Sequence, residues 1–131
     1  NSLAQMGTNL RSHVGWLLKA GRIHSAKLDD PLAFAVVRVD SPGDIYVNSD
    51  AYEKVESGGV TWLSRVGDIF SVGAARLAFT LAHEVGHMVQ IAAYGPAYAR
   101  AMSSSGDRLE RQADQFACAH LTQSVIFGEC R

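Results

Sequence analysis

The chain has 131 residues, of which 47% are hydrophobic and 19% are charged. This size and composition predict one compact domain over residues 1–131 that can bury a sizeable core. Twelve basic and thirteen acidic residues give a formal net charge of −1, so we expect no direct binding to nucleic acid, which requires a basic surface. The sequence contains no apolar run typical of a membrane span, so we expect no membrane partner.

The first third of the chain predicts a helix and a strand pair. Apolar residues at helical spacing favour a helix over residues 2–20, ended by Gly21. The segments "AFAVVRVD" at 33–40 and "DIYVN" at 44–48 are rich in β-branched and aromatic residues and flank "SPG", a turn signal. We therefore expect two antiparallel strands joined at that turn.

The rest of the chain is mainly helical in pattern. A short helical turn over 49–55 can be capped by the serine or the aspartate at its start, and residues 60–70 fit either a helix or irregular structure. The strongest helical signal covers 74–92, and a last helix is predicted over 107–121 after a loop, "SSSGD", at 103–107. This order predicts an α+β fold in which helices pack on a short antiparallel sheet.

The helix predicted over 74–92 carries the pattern His-Glu-x-x-His in an otherwise apolar segment, with His83, Glu84 and His87 at the named positions. Residues four apart on an α-helix point nearly the same way, so the two imidazoles converge from adjacent turns. Glu84 is about 100° from His83 around the helix axis, where it can act as a general base on an attacking water without being a ligand. A divalent metal ion is the simplest reason for three polar groups in an apolar helix.

A pair of acidic residues in the last predicted helix offers a third ligand. Glu110 and Asp114 are four apart in the last predicted helix, so both can face the histidines. A catalytic zinc site needs three protein ligands and one open position, and we predict that His83, His87 and Glu110 hold Zn2+. Asp114 would accept a hydrogen bond from the far ring nitrogen of a ligating histidine and fix its tautomer.

Each of these groups also has a simpler interpretation. The histidines could be two hydrogen-bonded or solvent-facing side chains, since the five-residue pattern occurs by chance. Glu110 and Asp114 could lie on an exposed helix face and pair with Arg108 or Arg111, which contributes a few tenths of a kcal/mol. The occurrence of both pairs at helical spacing in one chain favours the metal site.

The two cysteines, Cys118 and Cys130, form no recognisable framework or zinc knuckle. We expect free thiols in a cytoplasmic protein. The alternative is one disulfide in a secreted protein from which a signal peptide has been removed.

The segments "RLAFTLAHEVGHMV" and "ERQADQFACAHL", preceded by "IYVN", resemble the ImmA/IrrE metallopeptidase family, which shares its His-Glu-x-x-His and Glu-x-x-x-Asp elements with the wider gluzincins. The resemblance covers about residues 34–125. It implies a zincin-like fold in which His83, His87 and Glu110 bind zinc and Glu84 is the catalytic base. It further implies a protein substrate, because members of this family act on a DNA-binding helix-turn-helix repressor.

The residues thus predict a zinc-dependent metalloendopeptidase. An extended substrate would pair with the edge of the sheet over residues 33–48, and Tyr46, Tyr94 and Tyr98 are candidate donors to the oxyanion of the tetrahedral intermediate. The alternative function is a catalytically silent metal-binding regulatory module that sequesters a partner protein. Because a silent module has no need of Glu84, the sequence favours the enzyme.

Overall fold

The computed structural model describes residues 3–30, 33–49, 52–55, 62–64, 70–122 and 130. These residues form an α+β arrangement, with the following helices and strands in chain order: α1 Thr8–Lys19, β1 Ile23–Ala26, β2 Ala35–Arg38, β3 Ser41–Asn48, β4 Tyr52–Val55, β5 Trp62–Ser64, α2 Phe70–Tyr94 and α3 Tyr98–His120. Within these ranges, no helix combines the length and the apolar character that crossing a membrane requires.

Helix α1 ends where predicted but starts later. Gly21 adopts a positive φ of 70° directly after the helix, a conformation that glycine adopts without steric cost. The helix begins at Thr8 rather than at Ser2, because the backbone N–H of Gly7 donates to the carbonyl of His120 over 2.7 Å. That hydrogen bond ties the N-terminal segment to the end of α3.

The predicted hairpin is confirmed, but the sheet is mixed rather than antiparallel. Strand β2 pairs antiparallel with β3, and β1 pairs parallel with the other edge of β3, which gives the order β1-β3-β2. The segment "IHSA" of β1 has no alternation of apolar and polar residues, so no local signal marked it as a strand. Its position depends on pairing with β3, which is distant in sequence.

The turn of the hairpin also lies elsewhere than predicted. The "SPG" segment, 41–43, belongs to β3, and the chain turns at Val39 and Asp40 instead. Proline lacks a backbone N–H, but β1 pairs only with Ile45–Asn48, so Pro42 lies beyond the part of β3 that is paired on both sides. The proline therefore does not interrupt the sheet.

Two predictions for the middle of the chain are wrong. Residues 52–55, expected in a helical turn, form β4. Residues 62–64, expected in a helix or irregular structure, form β5, which pairs antiparallel with β4. Strand pairing overrides the local capping signal here, and the sequence of β4 contains an aromatic and a β-branched residue and that of β5 an aromatic residue, types that fit strands. The rest of the stretch 60–69 lies outside the described residues.

The loop predicted at 103–107 is replaced by a kink within α3, which runs from Tyr98 to His120. Only Ser105 departs from helical geometry, with φ −142° and ψ 35°, and it marks a kink. Serine and glycine are weak helix formers, but the alanines that precede them prolong the helix. The segment between the two predicted helices, 93–106, is therefore mainly helical rather than a long loop.

The core lies between α1, the sheet and α2, with the end of α3 closing it. Its largest fully buried apolar side chains are Met6, Val14, Leu17, Ile45, Val47, Leu77 and Leu81, and Ala117 of α3 is fully buried beside them. On the back of α2, Leu81 and Val85 are buried, whereas Ala92, which lies on the same side by helical spacing, is exposed. Each fully buried side chain of this size contributes about 1.5–3 kcal/mol, so the back of α2 is firmly anchored.

Helices α2 and α3 pack very closely at Gly86. A Cβ atom at this position would lie 3.1 Å from Ala113 Cα and 3.3 Å from Phe116 Cβ, which is tighter than ordinary contact. Ala113 and Leu109, one turn earlier on α3, are both fully buried. The glycine thus sets the distance between the two helices that carry the predicted site.

The expectation of free thiols is wrong in this structure, since Cys118 and Cys130 form a disulfide with their Cα atoms 5.3 Å apart. Both cysteines are partly buried against the core. Leu121, directly after α3, forms an antiparallel bridge with Met6. Sequence spacing alone does not indicate that the two cysteines pair.

We expect reduction of the Cys118–Cys130 disulfide to lower the free energy of unfolding by about 3 kcal/mol, because the unfolded chain gains the conformational entropy that the closed loop had removed. Urea unfolding with and without a reducing agent measures the change. A variant with both cysteines replaced by serine should be insensitive to the reducing agent. Two thiols titrating in the unreduced, unfolded protein would contradict the disulfide.

Replacement of Gly86 by Ala should destabilise the protein by about 1 kcal/mol, because crowding against α3 outweighs the gain in helix propensity. Gly15, in α1, is a matched control because a Cβ there meets nothing within 4 Å. Gly15→Ala should stabilise the protein by up to about 1 kcal/mol. Thermal unfolding of the two variants tests the prediction, and equal shifts in the same direction would show that the helices do not depend on Gly86.

Candidate metal centre

Three side chains from two helices meet with their potential ligand atoms in mutual contact. His83 Nε2 and His87 Nε2 are 3.1 Å apart. Glu110 Oε2, from α3, lies 3.0 Å from His83 Nε2 and 3.3 Å from His87 Nε2. The three predicted ligands therefore form a nearly equilateral triangle.

The size of this triangle fits a small tetrahedral ion. Zinc bonds of about 2.0–2.1 Å place two ligand atoms of a tetrahedron about 3.3 Å apart, close to the three observed separations. The donor set, two imidazoles and one carboxylate, is also one that zinc and several other divalent ions accept. The residues present thus fit a divalent metal ion.

Glu84 is the second carboxylate at this position. Its Oε2 lies 3.9 Å from His83 Nε2, and the ligand atoms of His83, Glu84 and His87 all lie within 4.8 Å of one another. These three residues could also hold a metal ion. Glu110 is nearer to both imidazoles, which leaves Glu84 beside the triangle rather than within it.

The environment of Glu84 alters its ionisation. The side chain is only 6% exposed, and this burial raises its pKa to about 7, although the positive charges of His83 and His87 and a backbone hydrogen bond from Val37 oppose the shift. A carboxylate with a pKa near neutrality can both accept and return a proton. Such a group is suited to general acid–base chemistry.

The acids around the histidines favour a positive charge at the centre. Burial disfavours protonation of His83, but the hydrogen bond to Glu110 and the charges of Glu84 and Glu110 outweigh it, which raises the pKa of His83 to about 9. The pKa of His87 is raised through the same two acids against the effect of burial. The pKa of Glu110 falls well below its usual range because both histidines bond to it. Either a proton or a metal ion can supply the favoured charge.

Asp114 contacts the outer nitrogen of the first histidine. Its Oδ1 is 2.7 Å from His83 Nδ1, where it accepts the ring N–H. Nε2 of His83 is then the nitrogen that faces Glu110. The structure thus brings Asp114, predicted as a partner of a ligating histidine, next to His83.

A further buried residue, Gln90, contacts the second histidine and had no role in the prediction. Its Oε1 lies 2.8 Å from His87 Nδ1, and its Nε2 donates to the backbone carbonyl of Leu109 over 2.8 Å. Helical spacing was the available signal, because Gln90 is three residues after His87 and so lies on nearly the same face of α2.

The three tyrosines considered as oxyanion donors lie in different places. Tyr98 is buried beside the centre, with its hydroxyl 3.3 Å from His87 Nδ1. Tyr46 stacks on His24 and carries the Arg38 guanidinium over its ring, 4.4 Å from the ring centroid. At the surface, the hydroxyl of Tyr94 accepts a hydrogen bond from the Arg108 guanidinium, with 3.5 Å between the nitrogen and the oxygen. Tyr98 is the one of the three that lines the cavity containing His83 and Glu84.

Two cavities flank His83 and Glu84. One has a volume of about 270 Å³ and includes Phe34 and Phe79 in its walls. The other, of about 310 Å³, is lined by Val37, Tyr98 and Met102, among others, and reaches Glu110. Ala33 and Ala35 line both cavities, so β2 runs along the cleft that the two cavities form.

Zinc binding should release protons, because a divalent ion competes with the proton on His83. The pKa of His83 is about 9, so the proton is bound below that pH and metal affinity should rise with pH until about 9. Calorimetric titration near neutral pH in two buffers of different ionisation enthalpy should give release of at least about one proton per ion, because the pKa of His87 is raised as well. A binding enthalpy that is the same in both buffers would contradict this.

Comparison of the chain with protein-family models, with curated proteins and with solved structures found no match. The resemblance to the ImmA/IrrE family therefore stays a prediction from the motifs.

Proposed function

We propose that the protein is a zinc-dependent metalloendopeptidase of zincin-like fold, with His83, His87 and Glu110 as the ligands. The observation that carries the proposal is the position of Glu84 beside the other three side chains: 3.9 Å from His83 Nε2, buried, and with a pKa near 7. A purely structural metal site needs ligands alone and is normally closed by a fourth. The second carboxylate therefore favours catalysis.

The reaction would divide between the ion and Glu84. Zinc, when bound, would polarise the scissile carbonyl and lower the pKa of the attacking water. Glu84 would accept a proton from that water and pass it to the leaving amine, a transfer for which a pKa near 7 suits both directions. Asp114 would hold His83 in the tautomer whose Nε2 is free to bind.

The substrate class that best suits the cleft is an extended peptide. In the antiparallel ladder, Phe34 O accepts from Asn48 N–H and Val36 lies opposite Tyr46. Because hydrogen-bonded positions alternate along such a pair, the N–H and C=O of Ala35 point away from β3. They would pair with a substrate main chain by strand addition, while the Phe34 and Phe79 cavity accommodates a side chain.

The disulfide bears on where the enzyme would act. A disulfide between Cys118 and Cys130 favours an oxidising compartment such as the cell exterior. A helix-turn-helix repressor, the substrate that the ImmA/IrrE resemblance implies, works in the reducing cytoplasm. We therefore propose a peptide or protein outside the cytoplasm as the substrate, in preference to a repressor.

One observation favours the second candidate function, a metal-binding module that sequesters a partner without cleaving it. The hydroxyl of Tyr98 lies 3.3 Å from His87 Nδ1, the ring nitrogen on the far side from the ligand atoms. A side chain held there does not donate to a developing oxyanion, and loss of such a donor costs about 10²–10³ in rate. In this second candidate function, the sequestering module binds its metal ion through the same three ligands.

Glu84→Gln should retain about one zinc per chain and lose peptide hydrolysis by at least a factor of about 10², because the amide cannot take the proton. Glu110→Ala should lose zinc as well as activity. Elemental analysis of both variants and of the parent protein, with a quenched fluorescent peptide library as substrate, separates the two roles. Full activity in Glu84→Gln would remove Glu84 from catalysis, and a zinc-loaded parent that cleaves nothing would favour the sequestering module.

A further inference from the structure

Gln90 is a buried amide whose two ends contact different helices. The side chain is 8% exposed. On one side its Oε1 is 2.8 Å from His87 Nδ1 within α2, and on the other its Nε2 is 2.8 Å from the carbonyl oxygen of Leu109 in α3. Leu109 directly precedes Glu110. One side chain therefore joins the second histidine to the backbone that carries the third ligand.

The orientation of this amide follows from hydrogen-bond chemistry. A backbone carbonyl can only accept, so the group that faces Leu109 O is the NH2 of Gln90. The amide oxygen then faces His87, and His87 must donate to it from Nδ1. In neutral imidazole only one nitrogen carries a proton, so Nε2 of His87 holds the lone pair.

That lone pair lies where the predicted ligands meet. His87 Nε2 is 3.1 Å from His83 Nε2 and 3.3 Å from Glu110 Oε2. Tyr98 OH also approaches His87 Nδ1, but at 3.3 Å it is farther than the amide oxygen at 2.8 Å. Moreover, a hydroxyl can either donate or accept, so it does not by itself select a tautomer. The amide does.

We propose that Gln90 is a positioning residue that fixes the Nδ1–H tautomer of His87 and couples it to the position of Glu110. It does for His87 what Asp114 does for His83, with a neutral amide in place of a carboxylate. Asp114 joins α3 to α2 directly through His83, whereas Gln90 joins them through the Leu109 carbonyl, so both partners also hold the two helices together at the site. The inference rests on the proposed metal site and extends it to a residue that touches no ligand atom of the ion.

Two substitutions separate the two ends of the amide. Gln90→Leu keeps the approximate volume and removes both hydrogen bonds. Gln90→Glu keeps an acceptor for His87 and removes the donor to Leu109 O. Gln112→Leu is a matched control, because Gln112 is exposed and its Oε1 only approaches Gln90 Nε2 at 3.5 Å.

The primary measurement is the tautomer of His87 by ¹⁵N NMR of the imidazole, in metal-free protein at a pH above the titration of both histidines. The parent protein and Gln90→Glu should show the Nδ1–H form of His87, and Gln90→Leu should show a mixture of forms. The second measurement is the affinity for Zn2+ itself, which should fall about 10- to 100-fold in Gln90→Leu and stay unchanged in Gln112→Leu.

The outcomes distinguish this inference from the proposed function. An Nε2–H form in the parent protein, or an unchanged tautomer and zinc affinity in Gln90→Leu, overturns the role of Gln90 even if the protein binds zinc and cleaves peptides. If the parent protein binds no zinc, the metallopeptidase proposal fails, and the NMR measurement on metal-free protein still decides whether Gln90 fixes His87. A weaker zinc affinity in Gln90→Leu with the tautomer unchanged also counts against the inference, because a general disturbance of packing would produce it.

Discussion

The close approach of α2 and α3 at Gly86 is the constraint on which the candidate site depends. The histidines flank Gly86 on α2, and the residue it meets, Ala113, lies next to Asp114 and one turn from Glu110 on α3. The contacts among the three predicted ligand atoms span only 3.0 to 3.3 Å. An increase of even about half an ångström in the helix separation would lengthen these contacts, because close-packed protein interiors leave little room to compensate.

Around that contact, each histidine has its own partner on the side away from the centre. His83 donates to a carboxylate on α3, whereas His87 donates to an amide on its own helix, which is in turn bonded to α3. Both ring orientations are therefore set by groups that lie outside the triangle of ligand atoms. Buried polar groups are costly unless they are hydrogen-bonded, so these partners stabilise the fold as well as the geometry of the site.

The sheet contributes the opposite wall of the cleft. Asn48, fully buried at the end of β3, donates from its side chain to the Ala33 carbonyl over 2.7 Å, and its backbone N–H donates to Phe34 O over 2.8 Å. These bonds fix the entry to β2. Farther along the strand, Val37 donates from its backbone to Glu84. The same edge strand thus holds the predicted base and presents the main-chain groups of Ala35 to the cleft.

Local periodicity in the sequence was enough to predict that His83, Glu84 and His87 share a helix and that Glu110 and Asp114 share another, because side-chain directions on a helix follow from spacing alone. The β-branched and aromatic composition of two neighbouring segments predicted the β2 and β3 hairpin. Tertiary structure decided the parallel addition of β1, the pairing of Cys118 with Cys130 and the direction of the Gln90 amide. Each of these features depends on a contact with another part of the chain or another element. The spacing of neighbouring residues does not indicate which distant partner makes that contact favourable.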